Sequence, residues 1–187
     1  MDRLQPCVLP ANGVLRQSLL NLLARSEDFA LTLLLAPAGS GKSTLLQHWR
    51  GRCAAAVVHY PLQARDNDPL CLAVASSLSP QLLGELLADA LARVEGPLFI
   101  VLDDFQWIES RSILEVMAAL LEKLPGHVHL IIASRNHPGF ALSQLKLENR
   151  LLCIDQHDLR LSVEQVQQLN THLGGQALSQ AYVDSLG

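Results

Sequence analysis

The sequence has few of the features that would place it in a membrane, in an oxidising compartment or on nucleic acid. Its longest apolar stretch, Leu31 to Pro37 with Thr32 inside it, falls well short of the roughly 20 residues needed to cross a bilayer, so no transmembrane helix is expected. The start, Met1-Asp2-Arg3-Leu4-Gln5-Pro6, lacks a basic patch leading into an apolar segment and lacks a small-residue cleavage site, which predicts a cytoplasmic protein. Cys7, Cys53, Cys71 and Cys153 are scattered with no C-x-x-C pair. Neither a zinc knuckle nor a disulfide framework is suggested, and buried free thiols are expected. There is no excess of basic charge: 14 Lys plus Arg against 18 Asp plus Glu leave a net charge of −4. Such a balance argues against a domain that holds nucleic acid by neutralising phosphates, so any DNA contact would need another segment. Aromatic residues make up only 4%.

What is present is a folding chain of ordinary domain size. Its 187 residues suit one domain with one full core. Hydrophobic residues at 49% against 17% charged, with mean hydropathy +0.22, are far too apolar for disorder. Leu19, Leu22 and Leu23 repeat at helical spacing before an apolar strand from Leu31 to Leu35. A glycine loop follows, then a helix faced by Leu45, Leu46 and Trp49. Ala54 to Tyr60 reads as a second strand, and Pro69 suits the first turn of a helix. Ser79-Pro80 opens another helix, with an apolar stripe of Leu82, Leu83, Leu86, Leu87, Ala90, Leu91 and Val94 that Gly96-Pro97 ends. Leu98 to Leu102 is a third strand. Ile113, Val116, Met117, Leu120, Leu121 and Leu124 mark an amphipathic helix closed by Pro125-Gly126. Val128 to Ala133 and Leu151 to Ile154 are the fourth and fifth strands, and Val163, Val166, Leu169 and Leu173 lead a last helix to Gly174-Gly175. Strands alternating with helices predict a parallel sheet covered on both faces. No internal repeat or low-complexity segment is visible, and the ending at Leu186-Gly187, directly after a helical stretch, suggests a piece of something longer.

The strongest motif is Ala36-Pro37-Ala38-Gly39-Ser40-Gly41-Lys42-Ser43-Thr44, a Walker A loop between a strand and a helix. Glycines at 39 and 41 let backbone N–H groups converge on phosphate oxygens, and the helix start adds its positive end. Ala38, Gly39, Ser40, Gly41, Lys42, Ser43 and Thr44 are therefore the candidate phosphate cradle. Lys42 would bridge the β- and γ-phosphates, Ser43 would ligate Mg²⁺ and Thr44 would support the α-phosphate. The strict pattern begins with Gly where this chain has Ala36, a small residue at the strand end that leaves the Gly-Lys-Ser core intact.

Phe99-Ile100-Val101-Leu102-Asp103-Asp104 reads as a Walker B strand. Asp103 would hold the Mg²⁺ shell through water, while Asp104 would orient the attacking water or accept its proton. Ile131-Ile132-Ala133-Ser134-Arg135 delivers a polar pair at a strand's C-terminal end, where open α/β sheets bind ligands, so Ser134 or Arg135 could sense the γ-phosphate. Other features carry less. His127-x-His129 has no third metal ligand and reads as two strand-edge residues; Leu173-Gly174-Gly175-Gln176 follows the Walker B strand and reads as a helix cap; Asn136-His137-Pro138-Gly139 lacks the Asn-Lys-x-Asp guanine reader, which leaves adenine as the base.

Together these residues resemble the MalT-like branch of the STAND signal-transduction ATPases, found in large LuxR-type transcription activators. The resemblance is carried by the Walker A form at 36 to 43 with its Ala36, by Asp66-Asn67-Asp68-Pro69, by Leu102-Asp103-Asp104-Phe105, by Ala133-Ser134-Arg135 and by Asp158-Leu159-Arg160. Val14-Leu15-Arg16 before Leu19-Leu20 looks like the family's segment over the adenine, which makes Val8, Leu9 and Arg16 candidates for the base pocket. The family commonly has His where this chain has Gln106. The resemblance implies a P-loop NTPase of the ASCE/STAND type, with a five-stranded parallel sheet and helices on both faces. It further implies one nucleotide-binding domain over 1–187, divided into an adenine-side segment at 1–28, an α/β core at 29–160 and the start of a helical part at 161–187. The implied behaviour is that of a switch: ATP or ADP as ligand with Mg²⁺, slow hydrolysis, self-association in the ATP state, and DNA contact only through a C-terminal domain beyond this chain. A freestanding P-loop small-molecule kinase or ATPase is the alternative, weakened by the absence of an arginine-rich lid. A scaffold that binds no nucleotide would have no use for Lys42, Ser43 and Asp103 together.

Overall fold

A computed structural model describes residues 16–67, 78–162 and 165–167. Five strands, β1 (Leu31–Leu35), β2 (Ala56–Pro61), β3 (Leu98–Asp103), β4 (Val128–Ser134) and β5 (Leu151–Ile154), form one sheet in the order β2-β3-β4-β1-β5, and every pairing is parallel. The expected five-stranded parallel sheet is therefore present. Helices α1 (Gln17–Ala24), α2 (Lys42–Arg50), α3 (Pro80–Ala92), α4 (Arg111–Glu122) and the short α5 (Ser143–Leu147) cover its two faces.

Side chains alternate across a strand, so each strand feeds both cores. Leu34, Phe99, Val101, Ile131 and Ala133 pack with Leu19, Leu20 and Leu23 of α1 and Leu45, Leu46 and Trp49 of α2. Trp49 meets Phe99 edge to face with ring centroids 5.0 Å apart. Leu31, Leu33, Leu98, Leu130 and Ile132 turn the other way, against Ala88 of α3, Leu120 and Leu121 of α4 and Leu145 of α5. Strands buried on both faces explain why β1 and β4 read as nearly continuous apolar runs, broken within by only Thr32 and His129.

Several expectations are corrected. The second strand starts at Ala56 and not at Ala54, because its partner β3 begins at Leu98 and offers nothing earlier to pair with. The helix α5, between β4 and β5, was not anticipated, since five residues with one buried leucine carry too short a pattern to read. An apolar stripe at helical spacing is ordinarily a buried face, but α3 turns part of its stripe outward: Leu82 is 43% and Leu86 47% exposed, whereas Leu83 is half-buried and Leu91 packs against the core. Gly84 and Ala88 face inward instead. A Cβ on Gly84 would lie 2.6 Å from the Ala119 Cβ and 2.8 Å from backbone atoms of Leu120 and Val116, so the absence of a side chain at Gly84 is what lets α3 approach α4 this closely. The cysteines expected to be buried are not: Cys53 is half-buried and Cys153 exposed. His129 is no edge residue either, for it is buried in the central strand β4, stacks at 4.9 Å on Phe99 and donates Nδ1–H to the Phe29 carbonyl at 3.0 Å. Val8 and Leu9, Cys7 and Cys71, the helix after Pro69, and the helix ending at Gly174-Gly175 lie outside the described residues.

Candidate functional site

The C-terminal ends of β1, β3 and β4, which lie side by side, converge on the loop that follows β1. Gly39 and Gly41 have φ of +80° and +82°, the left-handed region that side chains disfavour, and these two positions fold the loop back so that α2 starts at Lys42. The first N–H groups of α2 have no partner within the helix and point, with the helix dipole, into the cup made by Ala38 to Thr44. Lys42 is only 8% exposed, and its ammonium donates to the carbonyls of Ala36 at 2.6 Å and Pro37 at 2.9 Å, with a longer contact to the Ser40 hydroxyl at 3.4 Å. Burial pulls Lys42 below its ordinary pKa, while Asp103 and Asp104 act to raise it and Arg135 acts to lower it. All four groups therefore share one electrostatic neighbourhood.

Asp103 ends β3 and is 3% exposed. Its parity along the strand matches that of Phe99 and Val101, which face α2, so its carboxylate lies at the start of that helix, near the Ser43 hydroxyl. Burial pushes the Asp103 carboxyl up, but His59, Ser43 and the Asp104 N–H together outweigh it and hold the group below its usual value. Ser43 and Asp103 are neighbouring hard oxygen donors, and Mg²⁺ is typically held by one or two such protein groups, the rest of its shell being water and substrate phosphate. The pair fits Mg²⁺. Among the described residues no group of three or more His, Cys, Asp or Glu could enclose a metal without such help.

Asp104 takes the left-handed conformation, φ 57°, and turns the chain into a short 3₁₀ turn, Phe105–Trp107. Arg135 is exposed just past β4, and among the described residues no carboxylate forms an ion pair with it. Ser134 is buried, and its hydroxyl accepts from the Asn136 N–H at 3.3 Å. Arg16 lies elsewhere: its guanidinium donates to the carbonyls of Asp158 at 3.2 Å and Arg160 at 2.6 Å, joining the start of α1 to the Asp158-Leu159-Arg160 turn.

The contacts of three polar residues around the site escaped the sequence reading. His59 on β2 pairs in register with Val101 and places Nε2 3.7 Å from the Asp103 carboxylate. A histidine inside the apolar run Val57-Val58-His59-Tyr60 was its only trace. Asn67 accepts from the N–H groups of Glu109 at 2.7 Å and Ser110 at 2.6 Å, which ties the loop after β2 to the entry of α4. Gln106 was noted only as a departure from a family pattern, yet its amide lies between Asp104 and the backbone of Arg135.

No protein-family model matches the chain. The HTH-type transcriptional regulator MalT of Cronobacter sakazakii is 30% identical over 183 residues, covering 83% of this chain. The MalT of Yersinia enterocolitica is 29% identical over 180 residues, covering 84%. The chain is thus homologous to MalT regulators over most of its own length, and it spans 20% of theirs. Among solved structures, AMPPCP-bound DnaA from Aquifex aeolicus superimposes with a TM-score of 0.54 at 15% identity, over 94% of this chain and 59% of that one. The Walker-type ATPase PAbY2304 of Pyrococcus abyssi gives 0.52 at 16% identity, over 97% of this chain and 65% of that one. The fold is that of the P-loop NTPases.

Proposed function

We propose that this chain is the ATP- and ADP-binding switch module of a signal-responsive transcription regulator, working in the cytoplasm with slow Mg²⁺-dependent hydrolysis. One observation carries the reading: the loop with its two left-handed glycines, the buried Lys42 and the neighbouring Ser43 and Asp103 oxygens assemble at the C-terminal edge of the sheet, where such folds take ligands. The N–H groups from Ala38 to Thr44 cradle phosphates, and the Lys42 ammonium exchanges its loop carbonyls for phosphate oxygens. Ser43 and Asp103 would hold Mg²⁺, which when bound neutralises charge on the phosphate chain. Asp104 orients the attacking water and takes its proton, and Arg135 reaches the terminal phosphate that distinguishes ATP from ADP. Val8 and Arg16 are assigned to the adenine, Arg16 through the turn at Asp158 to Arg160 that its guanidinium fixes. Hydrolysis is slow because among the described residues no additional arginine is brought to the phosphate loop, and such a finger can be worth 10³–10⁵ in rate.

Homology with regulators named for a helix-turn-helix supports the regulatory half of the reading. Self-association in the ATP state and DNA contact through a C-terminal domain of the longer protein complete it. The test is thermal melting with ADP, or with ATP and Mg²⁺, after any nucleotide retained through purification has been identified. A ligand at 100 times its Kd should stabilise the chain by about 2.7 kcal/mol. Asp104→Asn should keep that shift and lose hydrolysis. No retained nucleotide and no shift with either ligand would overturn the proposal.

A further inference from the structure

We infer that Gln106 is a positioning residue that couples the tip of β4 to the Asp104 carboxylate, so that the terminal phosphate of a bound nucleotide sets the orientation of that acid. The inference rests on the nucleotide-binding reading above. The Gln106 Nε2 donates to Asp104 Oδ1 at 2.8 Å, and its Oε1 accepts from the backbone N–H of Arg135 at 3.3 Å, 29 residues along the chain.

The two ends of the amide suit their partners. An ionised carboxylate only accepts and a peptide N–H only donates, so the bridging side chain must offer a donor at one end and an acceptor at the other. Glutamate would set a second carboxylate against Asp104, leucine would offer neither group, and asparagine is one methylene short. A neutral histidine, with one donor and one acceptor nitrogen, retains the pairing.

The backbone beneath Gln106 is fixed. Phe105 and Ile108 are buried on either side, and Phe105 packs edge to face on Phe140 with centroids 6.2 Å apart. Gln106 is therefore displaced through its amide contacts more readily than through its own backbone. At the other end, Arg135 follows Ser134, whose carbonyl accepts from the Ala36 N–H at 3.2 Å, at the entrance to the phosphate loop. A hydrogen-bonded line thus runs from the phosphate loop through the β4 tip and Gln106 to Asp104. Its bond to Arg135 is longer than its bond to Asp104, so a shift of the β4 tip breaks the former first. Until then one Asp104 oxygen is occupied by the amide. When Arg135 moves to a terminal phosphate, Gln106 is released and the carboxylate is free to turn toward water.

The experiment is titration calorimetry of the chain with ADP and with a methylene-bridged, non-hydrolysable ATP analogue, both with Mg²⁺. The variants are Gln106→Glu, Gln106→Leu and Gln106→His, each checked for a native melt. Gln106→Glu and Gln106→Leu should keep ADP affinity within about twofold and change the preference for the analogue over ADP by about fivefold or more, with Gln106→His restoring it. In an Asp104→Ala background Gln106→Glu should have no further effect on that preference. An unchanged preference in both variants, or parallel weakening of both nucleotides, would overturn the coupling. A wild-type chain that binds neither nucleotide would sink the nucleotide-binding reading itself, whereas equal affinity for both would overturn the coupling alone.

Discussion

Replacing Lys42 by methionine separates binding from folding, because the side chain keeps its length while its charge is lost. In the structure the ammonium is held by the carbonyls of Ala36 and Pro37. Leaving a buried carbonyl without a partner costs about 1–3 kcal/mol, but the variant also removes the penalty of burying a charge, the effect that lowers the Lys42 pKa. The net loss of stability should therefore stay below about 2 kcal/mol, and for a chain of this size each kcal/mol moves Tm by about 2–4 °C. Nucleotide binding is another matter. Charge-assisted hydrogen bonds to two phosphate oxygens are worth about 1.5–3 kcal/mol each, and the loop bonds given up on binding reduce the net gain to about 2–4 kcal/mol. At 1.4 kcal/mol per decade, ADP should bind roughly 30- to 700-fold more weakly to Lys42→Met. Titration calorimetry beside a thermal melt would measure both. A variant with a native melt whose ADP affinity lies within about threefold of wild type would refute the assignment of Lys42 to the phosphates.

Other outcomes follow from single contacts. Gly84→Ala should destabilise the chain by about 1–3 kcal/mol in chemical denaturation, despite the better helix propensity of alanine, because its Cβ meets α4 backbone at 2.8 Å; unchanged or raised stability would disprove the close helix approach. Asn67→Ala leaves the N–H groups of Glu109 and Ser110 without their acceptor, so it should cost about 1–2 kcal/mol and speed amide exchange at those two residues, and unaltered exchange would show the clasp to be idle. The Asp103 carboxyl is held below its ordinary value of 3.8, so its contribution to stability is complete above that value and fades as pH falls through the lower folded value. The stability gap between wild type and Asp103→Asn should accordingly narrow only below about pH 4; a gap that widens on acidification would contradict the sign.

The parts of the site that the sequence disclosed are those whose chemistry is local. Gly39 and Gly41 need left-handed φ within one loop, and Lys42 and Ser43 follow directly in the helix that the loop begins. Asp103 and Arg135 stand at the ends of β3 and β4, two apolar runs whose stopping points show in the residues themselves. The missed parts depend on pairings across the chain. Asn67 acts on Ser110, 43 residues away, and His59 meets Asp103 only because β2 lies beside β3 in a particular register. The outward face of α3 has a similar origin. Leucine periodicity shows that a helix has an apolar side, but the side that docks was decided by how closely α4 approaches, which favours Gly84 and Ala88.

Burial divides the site into two sets of groups. Most of those assigned to holding the ligand are buried or built into backbone: Lys42 is bound to its own loop, Asp103 is buried near the exposed Ser43, and the first N–H groups of α2 are fixed by the helix. Their ordering is complete before a ligand arrives, which favours affinity. The groups assigned to turnover are less enclosed, since Asp104 is half-buried in a left-handed turn and Arg135 is exposed beyond the end of β4. A catalytic step needs its charged groups fixed in a site that excludes water, and among the described residues the Gln106 amide is the side-chain bridge between these two. Under the proposed function, an arrangement rigid where it binds and loose where it would react would retain nucleotide longer than it consumed it. That imbalance is what a switch requires, and it is the reverse of what a fast phosphotransfer enzyme would need.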